Sequence, residues 1–472
     1  TIADSTISNN QTKYAVGGVG IQDVEGDVVV TGTTISNNDF KYVSGSPRPS
    51  GGAGGLGVRD ARDVSISTSA ITGNEIRGVG GGVYVIALES LTITSTTVSG
   101  NSATGDGGGL SARLADNVVI EDSACDGNTA GNDAGGIEIE DLDESLSIDG
   151  TTVTNNDANG SGGGLALDNV ASDDPESVFA ITDVLVSGNS ATFAGGGIWL
   201  YQPYEGNAGT SPIVIATSTI RGNQAGQAGG GIAAGEIFLG GEGAGGAAAP
   251  ASLAGLVLDR STVSANLAQG PEGAFGGGVA LSGSVADIVN STISGNVASG
   301  DGGGVTLYSQ SYATIRHSTI VENAAGGEGG GIFVAERYVG PTEGGPYYVT
   351  SAVTLDHTIV ASNTPDDIAG PGAVSARFSL IETPPPGFVG GEGDQGGNIF
   401  GVDPQLGPLQ YNGGPNQVET HLPDQGSPVV NAGDPNFAPP PATRSTSPAT
   451  AGPSRASCRR TIPCRSPRDD RR

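Results

Sequence analysis

Five residues on three successive stretches of the chain have types and spacing that could act together on a ligand. Glu138 and Glu140 lie in Gly135-Gly136-Ile137-Glu138-Ile139-Glu140, Asp168 in Gly163-Gly164-Leu165-Ala166-Leu167-Asp168, and Trp199 and Tyr201 in Gly196-Gly197-Ile198-Trp199-Leu200-Tyr201. Each stretch begins directly after a glycine run with the alternation of an extended strand. Residues one and three after the run should point inward, and two and four outward. The outward pairs are then Ser111/Arg113, Glu138/Glu140, Ala166/Asp168, Trp199/Tyr201 and Ala233/Gly235. Carboxylates two apart on a strand sit about 6.6 Å apart, near the lower limit for inverting glycosidases. On neighbouring strands, Glu140 and Asp168 would be about 4.8 Å apart, close enough for one raised pKa or for shared ligation of Ca2+. Aromatic rings beside carboxylates suit a sugar, and Tyr204 would add a loop ring to the patch. A solvated acidic face is the plainer account of the same carboxylates, because acids are spread along the whole chain.

The elements that would position these residues are read from a repeat. Ser291-Thr292-Ile293-Ser294-Gly295-Asn296 recurs in degenerate form, with its Asn at 10, 38, 74, 101, 128, 156, 189, 223, 266, 296 and 323 and a looser copy at Asn363. Five intervals are 27 or 28 residues, and a glycine run follows most copies. Short Val/Ile/Leu runs at this period predict an all-β solenoid, a right-handed single-stranded parallel β-helix of about a dozen coils with three short strands each. In the coil ending at Asn323 the strands are expected around Val305–Leu307, Thr314–Arg316 and Ser318–Val321. Nothing keeps a 3.6-residue period, so helix is not expected. The repeated asparagines (Asn101, Asn128, Asn156, Asn189, Asn223, Asn296 and Asn323 among them) are expected to be structural, bonding their counterparts in adjacent coils. Cys125 takes the slot of Ile293 and should pack in the core rather than react.

Composition narrows the function. The chain has 472 residues, 82 of them Gly, and a net charge of -30 from 20 basic and 50 acidic side chains. Such a surface repels phosphates and excludes nucleic acid as a partner. The three cysteines show no metal or disulfide spacing, so no metal centre and no cofactor is expected beyond weak Ca2+ binding by the acidic exterior. Gly105-Asp106-Gly107 and Gly300-Asp301-Gly302 lack the nine-residue recurrence of a calcium ladder. No run of 18 apolar residues occurs, so no transmembrane segment is expected. With no Met, the chain reads as a fragment or processed form whose export signal lay upstream of Thr1.

The Ser-Thr-Ile-Ser-Gly-Asn and Gly-Gly-Gly-Ile/Val units resemble the right-handed β-helix repeats of bacterial surface proteins and chlamydial-type polymorphic outer-membrane proteins, a fold shared with pectate lyases. Asp403-Pro404-Gln405-Leu406-Gly407-Pro408-Leu409, Asn412-Gly413-Gly414-Pro415 and Gly426-Ser427-Pro428-Val429-Val430-Asn431-Ala432-Gly433 look like the end of the choice-of-anchor β-helix family. That resemblance implies an exported bacterial protein, secreted or at the cell surface, whose anchor is missing from this sequence. The organisation expected is repeats over 1–363, a C-terminal cap or choice-of-anchor-like segment over 364–436, and a tail over 437–472. The tail holds 8 of the 20 basic residues and two of the 50 acidic ones, a net +6 against -36 for the rest. It departs from the family at Arg444-Ser445-Thr446-Ser447-Pro448-Ala449-Thr450 and is expected to be a frameshift product or a basic, Pro-rich disordered tail.

Insertions at Ala171–Ser177, Tyr201–Ser211, Gly235–Leu253 and Glu336–Val349 share one place in the repeat and should project from one side, carrying Tyr201, Tyr204, Tyr338, Tyr347 and Tyr348. The function expected is therefore an adhesion or display scaffold that binds glycan or protein through these loops. A polysaccharide lyase or glycoside hydrolase is the alternative, with no catalytic residues assigned. Of the polygalacturonase set only Asp-Asp occurs, at 173–174 and 366–367. Leu355-Asp356-His357 faintly resembles a pectate-lyase segment, though the repeat explains it better, and no cationic base stands visibly beside clustered acids.

Overall fold

The computed structural model describes residues 1–12, 16–40, 52–170, 172, 177–201, 211–235, 255–271, 273–342, 345–413 and 418–436, with side chains omitted over 337–348. Tyr204, the tips of the insertions, the first Asp-Asp pair and the tail 437–472 lie outside them. One compact unit spans Thr1–Asp434.

The alternating Val/Ile/Leu runs form strands, and each strand pairs in parallel with its counterpart one repeat later. Leu110–Glu121, Ala124–Asp126 and Thr129–Ala130 make one coil, and Ile137–Asp149 opens the next in register, Leu110 on Ile137 and Ile120 on Ile148. Sheets of 22, 14 and 11 strands result. Among the described residues only two hairpins and one isolated bridge are antiparallel. In the coil ending at Asn323 the strands are Val305–Tyr308, Tyr312–Arg316 and Thr319–Val321, as the spacing predicts. A fourth piece follows each Asn, the two-residue strand exemplified by Thr129–Ala130, too short to leave an alternating pattern in the sequence. No helix among the described residues is long and apolar enough to cross a membrane.

Inward side chains stack into continuous apolar columns. Ile71, Val98, Cys125, Val153, Val186 and Ile220 form one of them, and Cys125 is buried there with its thiol pushed up by desolvation. No coil can hide its own apolar edge, so each is stabilised by the two that flank it.

Two polar columns run beside the apolar ones. Each ladder Asn uses its side chain fully. Asn128 donates from Nδ2 to Asn156 Oδ1 (2.9 Å) and to the carbonyl of Val98 (3.0 Å), and its backbone N–H also reaches Asn156 Oδ1 (3.0 Å). The pattern runs from Asn10 to Asn363. It ends where Asp367 stands in place of a next Asn, taking Asn363 N–H (3.2 Å) and Nδ2 (2.8 Å) on one oxygen and Thr383 N–H (2.6 Å) on the other. The second Asp-Asp pair thus closes the ladder. Next to it runs a hydroxyl column, in which the backbone N–H at one coil reaches the Ser or Thr hydroxyl one coil on, as from Thr96 to Ser123 (3.1 Å).

Glycines at the corners serve two different needs. Gly127 takes φ +63 just before Asn128, in open space, so the bend itself favours it. At Gly108 an added Cβ would lie 2.4 Å from the Gly135 carbonyl oxygen, so the close approach of coils excludes any side chain.

Residues 364–436 begin by continuing the stack, with Ala373–Arg377 on Ala352–Asp356 and Leu380–Ile381 on Ile359–Val360. The chain then turns back along the second sheet. Leu406 and Val429 pack on Val321, Ala361 and Leu380. His421 Nε2 meets Ser294 Oγ (2.9 Å), and Thr262 Oγ1 donates to the Glu419 carbonyl (2.7 Å).

Candidate functional site

The printed register places the residues singled out from the sequence on two rails of one sheet face. One rail runs Gly57, Tyr84, Ser111, Glu138, Ala166, Trp199; the other runs Arg59, Ile86, Arg113, Glu140, Asp168, Tyr201. Both point away from the core, yet they differ sharply in exposure. The tight turn before each strand folds over the second residue after the glycine run. An added Cβ on Gly107 would sit 2.6 Å from Ser111 Cβ. The first rail is accordingly covered, and Glu138 is only 6% exposed, against the expectation of an outward, solvent-facing carboxylate.

Glu138 is buried because it has partners that the sequence reading left out. Ser111 Oγ donates to Glu138 Oε2 (2.5 Å), and Arg113 Nη2 to Glu138 Oε1 (2.7 Å). The same guanidinium holds Glu140 through Nε (2.8 Å) and Asp106 through Nη2 (2.8 Å). A cation therefore stands among clustered acids, though not as a base. Arg113 cannot act as a base, since three carboxylates hold its proton more firmly than water would.

One guanidinium does not neutralise four acids. Burial pushes Glu138 up to about 7, with Arg113 and Ser111 opposing it. Burial and the neighbouring Glu140 and Asp141 push Asp168 up to about 6. Glu140 is raised too, chiefly by burial. Glu138 and Glu140 have a positive charge between them, which is not the water-filled gap an inverting hydrolase needs. Among the described residues no group of three or more His, Cys, Asp or Glu is arranged to hold a metal ion.

One rung beyond Asp168, the rings of Trp199 and Tyr201 stack with centroids 5.3 Å apart and planes 16° apart. Both are half-buried, so the pair offers a partly exposed aromatic surface beside the carboxylates.

These rails exist because coil stacks on coil in strict register. Residues 1–202 match the family described as a right handed beta helix region. The chain is a right-handed parallel β-helix. No curated protein matches its sequence. Within this β-helix the Asp356-His357 segment ties the chain's returning end to the stack. His357 Nδ1 lies 2.6 Å from Asp356 Oδ1, and its Nε2 accepts the Asp434 N–H at 3.1 Å. The ring stacks on Phe378, and Arg377 pairs with Asp356 at 2.6 Å. This arrangement fastens the returning C-terminal segment to the stack.

Proposed function

We propose that this β-helix is an extracellular or cell-surface scaffold that binds glycan along the face carrying Asp168, Trp199 and Tyr201. The stacked Trp199–Tyr201 pair, in register with the Asp168 and Glu140 carboxylates, carries the reading. An aromatic surface takes the apolar face of a sugar ring, and a carboxylate accepts its hydroxyls. The resemblance of residues 357–433 to choice-of-anchor proteins supports display at a bacterial surface. Trp199→Ala and Asp168→Asn should each lower binding on an array of neutral and acidic glycans at least tenfold, with the fold unchanged by circular dichroism. Unchanged binding in both variants rejects the face.

A second reading, a glycoside hydrolase, is favoured by one observation. Asp168 is raised to about 6 one rung from Glu140, an acid that takes up a proton more readily than usual beside a carboxylate held by Arg113. Release of reducing ends from a bound polysaccharide, lost in Asp168→Asn, would replace the scaffold reading by this one.

A further inference from the structure

The same two rails end in a cavity. At the first and second coils the covered rail carries Gly20 and Gly57 where later coils carry Tyr84, Ser111 and Glu138. Missing side chains leave a hollow of about 450 Å3. That volume lies in the range of small-ligand sites. Val16 walls it, Tyr84 closes one end, and Gln22, Thr12 and Arg59 supply its polar groups. Tyr84 is buried, and the Arg59 charge lies close enough to act on its hydroxyl. Arg59 stands two rungs before Arg113 on the outer rail.

Charge is thus ordered along the face: Arg59 at the cavity, carboxylates at Glu140 and Asp168, rings at Trp199 and Tyr201. From Tyr84 to Trp199 is four rungs, about 19 Å. We infer that the Gly20/Gly57 cavity is a separate subsite for a carboxylate-bearing sugar residue, held by Arg59 through a charge-assisted hydrogen bond with its ring against Val16. This deepens the reading of the face as a glycan surface and gives the bound glycan a direction, acidic residue toward the first coils and a neutral residue over Trp199.

The test uses the whole chain and two monosaccharides too short to span the rails, glucuronate and glucose, followed by titration calorimetry or ligand-observed NMR. Glucuronate should bind at least tenfold more tightly than glucose. Arg59→Gln should abolish the preference, and Gly57→Val, which puts a side chain into the hollow, should lower glucuronate binding at least tenfold. Glucuronate binding no tighter than glucose in the natural chain, or a preference that survives Arg59→Gln, overturns the subsite. Neither result touches the Trp199 platform, whose failure is read separately as lost binding of neutral oligosaccharides.

Discussion

Asn156 and Glu138 are both buried polar side chains of one β-helix, and their surroundings could hardly differ more. Asn156 gives two hydrogen bonds from Nδ2, to Asn189 Oδ1 (2.9 Å) and the Cys125 carbonyl (3.0 Å), and accepts two from Asn128. Its neighbours are copies of itself, so every donor meets an acceptor without net charge. Glu138 instead shares one guanidinium with Glu140 and Asp106, and its burial, which Arg113 and Ser111 only partly offset, appears as a raised pKa. Burial is affordable without limit when the polar group repeats; a charge that occurs once must borrow its partner from a neighbouring coil.

The sharpest way to break the comparison is to interrupt the ladder. Asn156→Ala leaves the Asn128 N–H, one Asn128 amide hydrogen and the Cys125 carbonyl unpartnered in a dry interior. At about 1–3 kcal/mol for each orphaned group, the loss should exceed roughly 3 kcal/mol. Hydrogen exchange should report it locally, in the coils around Asn128 and Asn189, because stability in a solenoid is shared between nearest neighbours. Protection equal to the natural chain would deprive the ladder of energetic meaning.

Glu138 makes the opposite prediction, a dependence on pH. Its folded-state pKa is raised from 4.5 to about 7, so the folded chain binds the proton more tightly than the unfolded one. The stabilising contribution is full below about 4.5 and is lost as pH rises through about 7. Two and a half units correspond to about 3 kcal/mol. Glu138→Gln should flatten this part of the stability curve and leave the variant at least as stable as the natural chain at pH 8. A denaturation midpoint that rises from pH 5 to pH 8 in the natural chain contradicts the raised pKa.

Asp367 joins the two cases, a carboxylate used where the ladder needs one more acceptor. Asp367→Ala orphans the Asn363 donors at a cost of about 2 kcal/mol. Asp367→Asn keeps one oxygen for Asn363 but turns an amide N–H toward Thr383 N–H, so its loss should fall between that of Ala and none. Equal losses for Ala and Asn, read from urea midpoints, would mean that Asp367 does not cap the ladder.

Periodicity explains what could be read from the sequence. Asn156 and Gly108 occupy slots that recur about a dozen times at intervals of about 27 residues or more, so their type alone announces a coil corner and a close approach. The slot of Arg113 keeps no type, holding Arg59, Ile86, Glu140, Asp168 and Tyr201 in other coils. Its position opposite Glu140 and diagonal to Glu138 follows from strand alternation, but nothing in its neighbourhood says that Asp106, seven residues back, folds over the rail to share it. The cover over this rail depends on the turn before each strand, at Gly107 before Ser111 and at Ala134 before Glu138, a backbone path that composition does not encode. Likewise the return of residues 402–434 along the second sheet joins Thr262 to Glu419, a separation of 157 residues with no repeat to guide it.

The smallest expected effect tests whether a lapse in periodicity can be repaired. In the hydroxyl column Ser123 N–H reaches Thr151 Oγ1 (3.3 Å), and Val184 N–H reaches Ser218 Oγ (3.1 Å), but Val184 itself has no hydroxyl to offer Thr151. Val184 is 2% exposed and packed in the core. Thr has nearly its shape, and Thr33, Thr96 and Thr151 already fill the same slot elsewhere. In Val184→Thr the new hydroxyl should accept from Thr151 N–H and donate to the Thr182 carbonyl, as Ser218 Oγ does to Ala216 (2.8 Å). Two hydrogen bonds at about 1 kcal/mol each, set against the cost of burying one hydroxyl, give a net gain of about 1 kcal/mol. A lower urea midpoint would show that the column records strand register without adding to stability, and that the asparagines alone hold the coils in line.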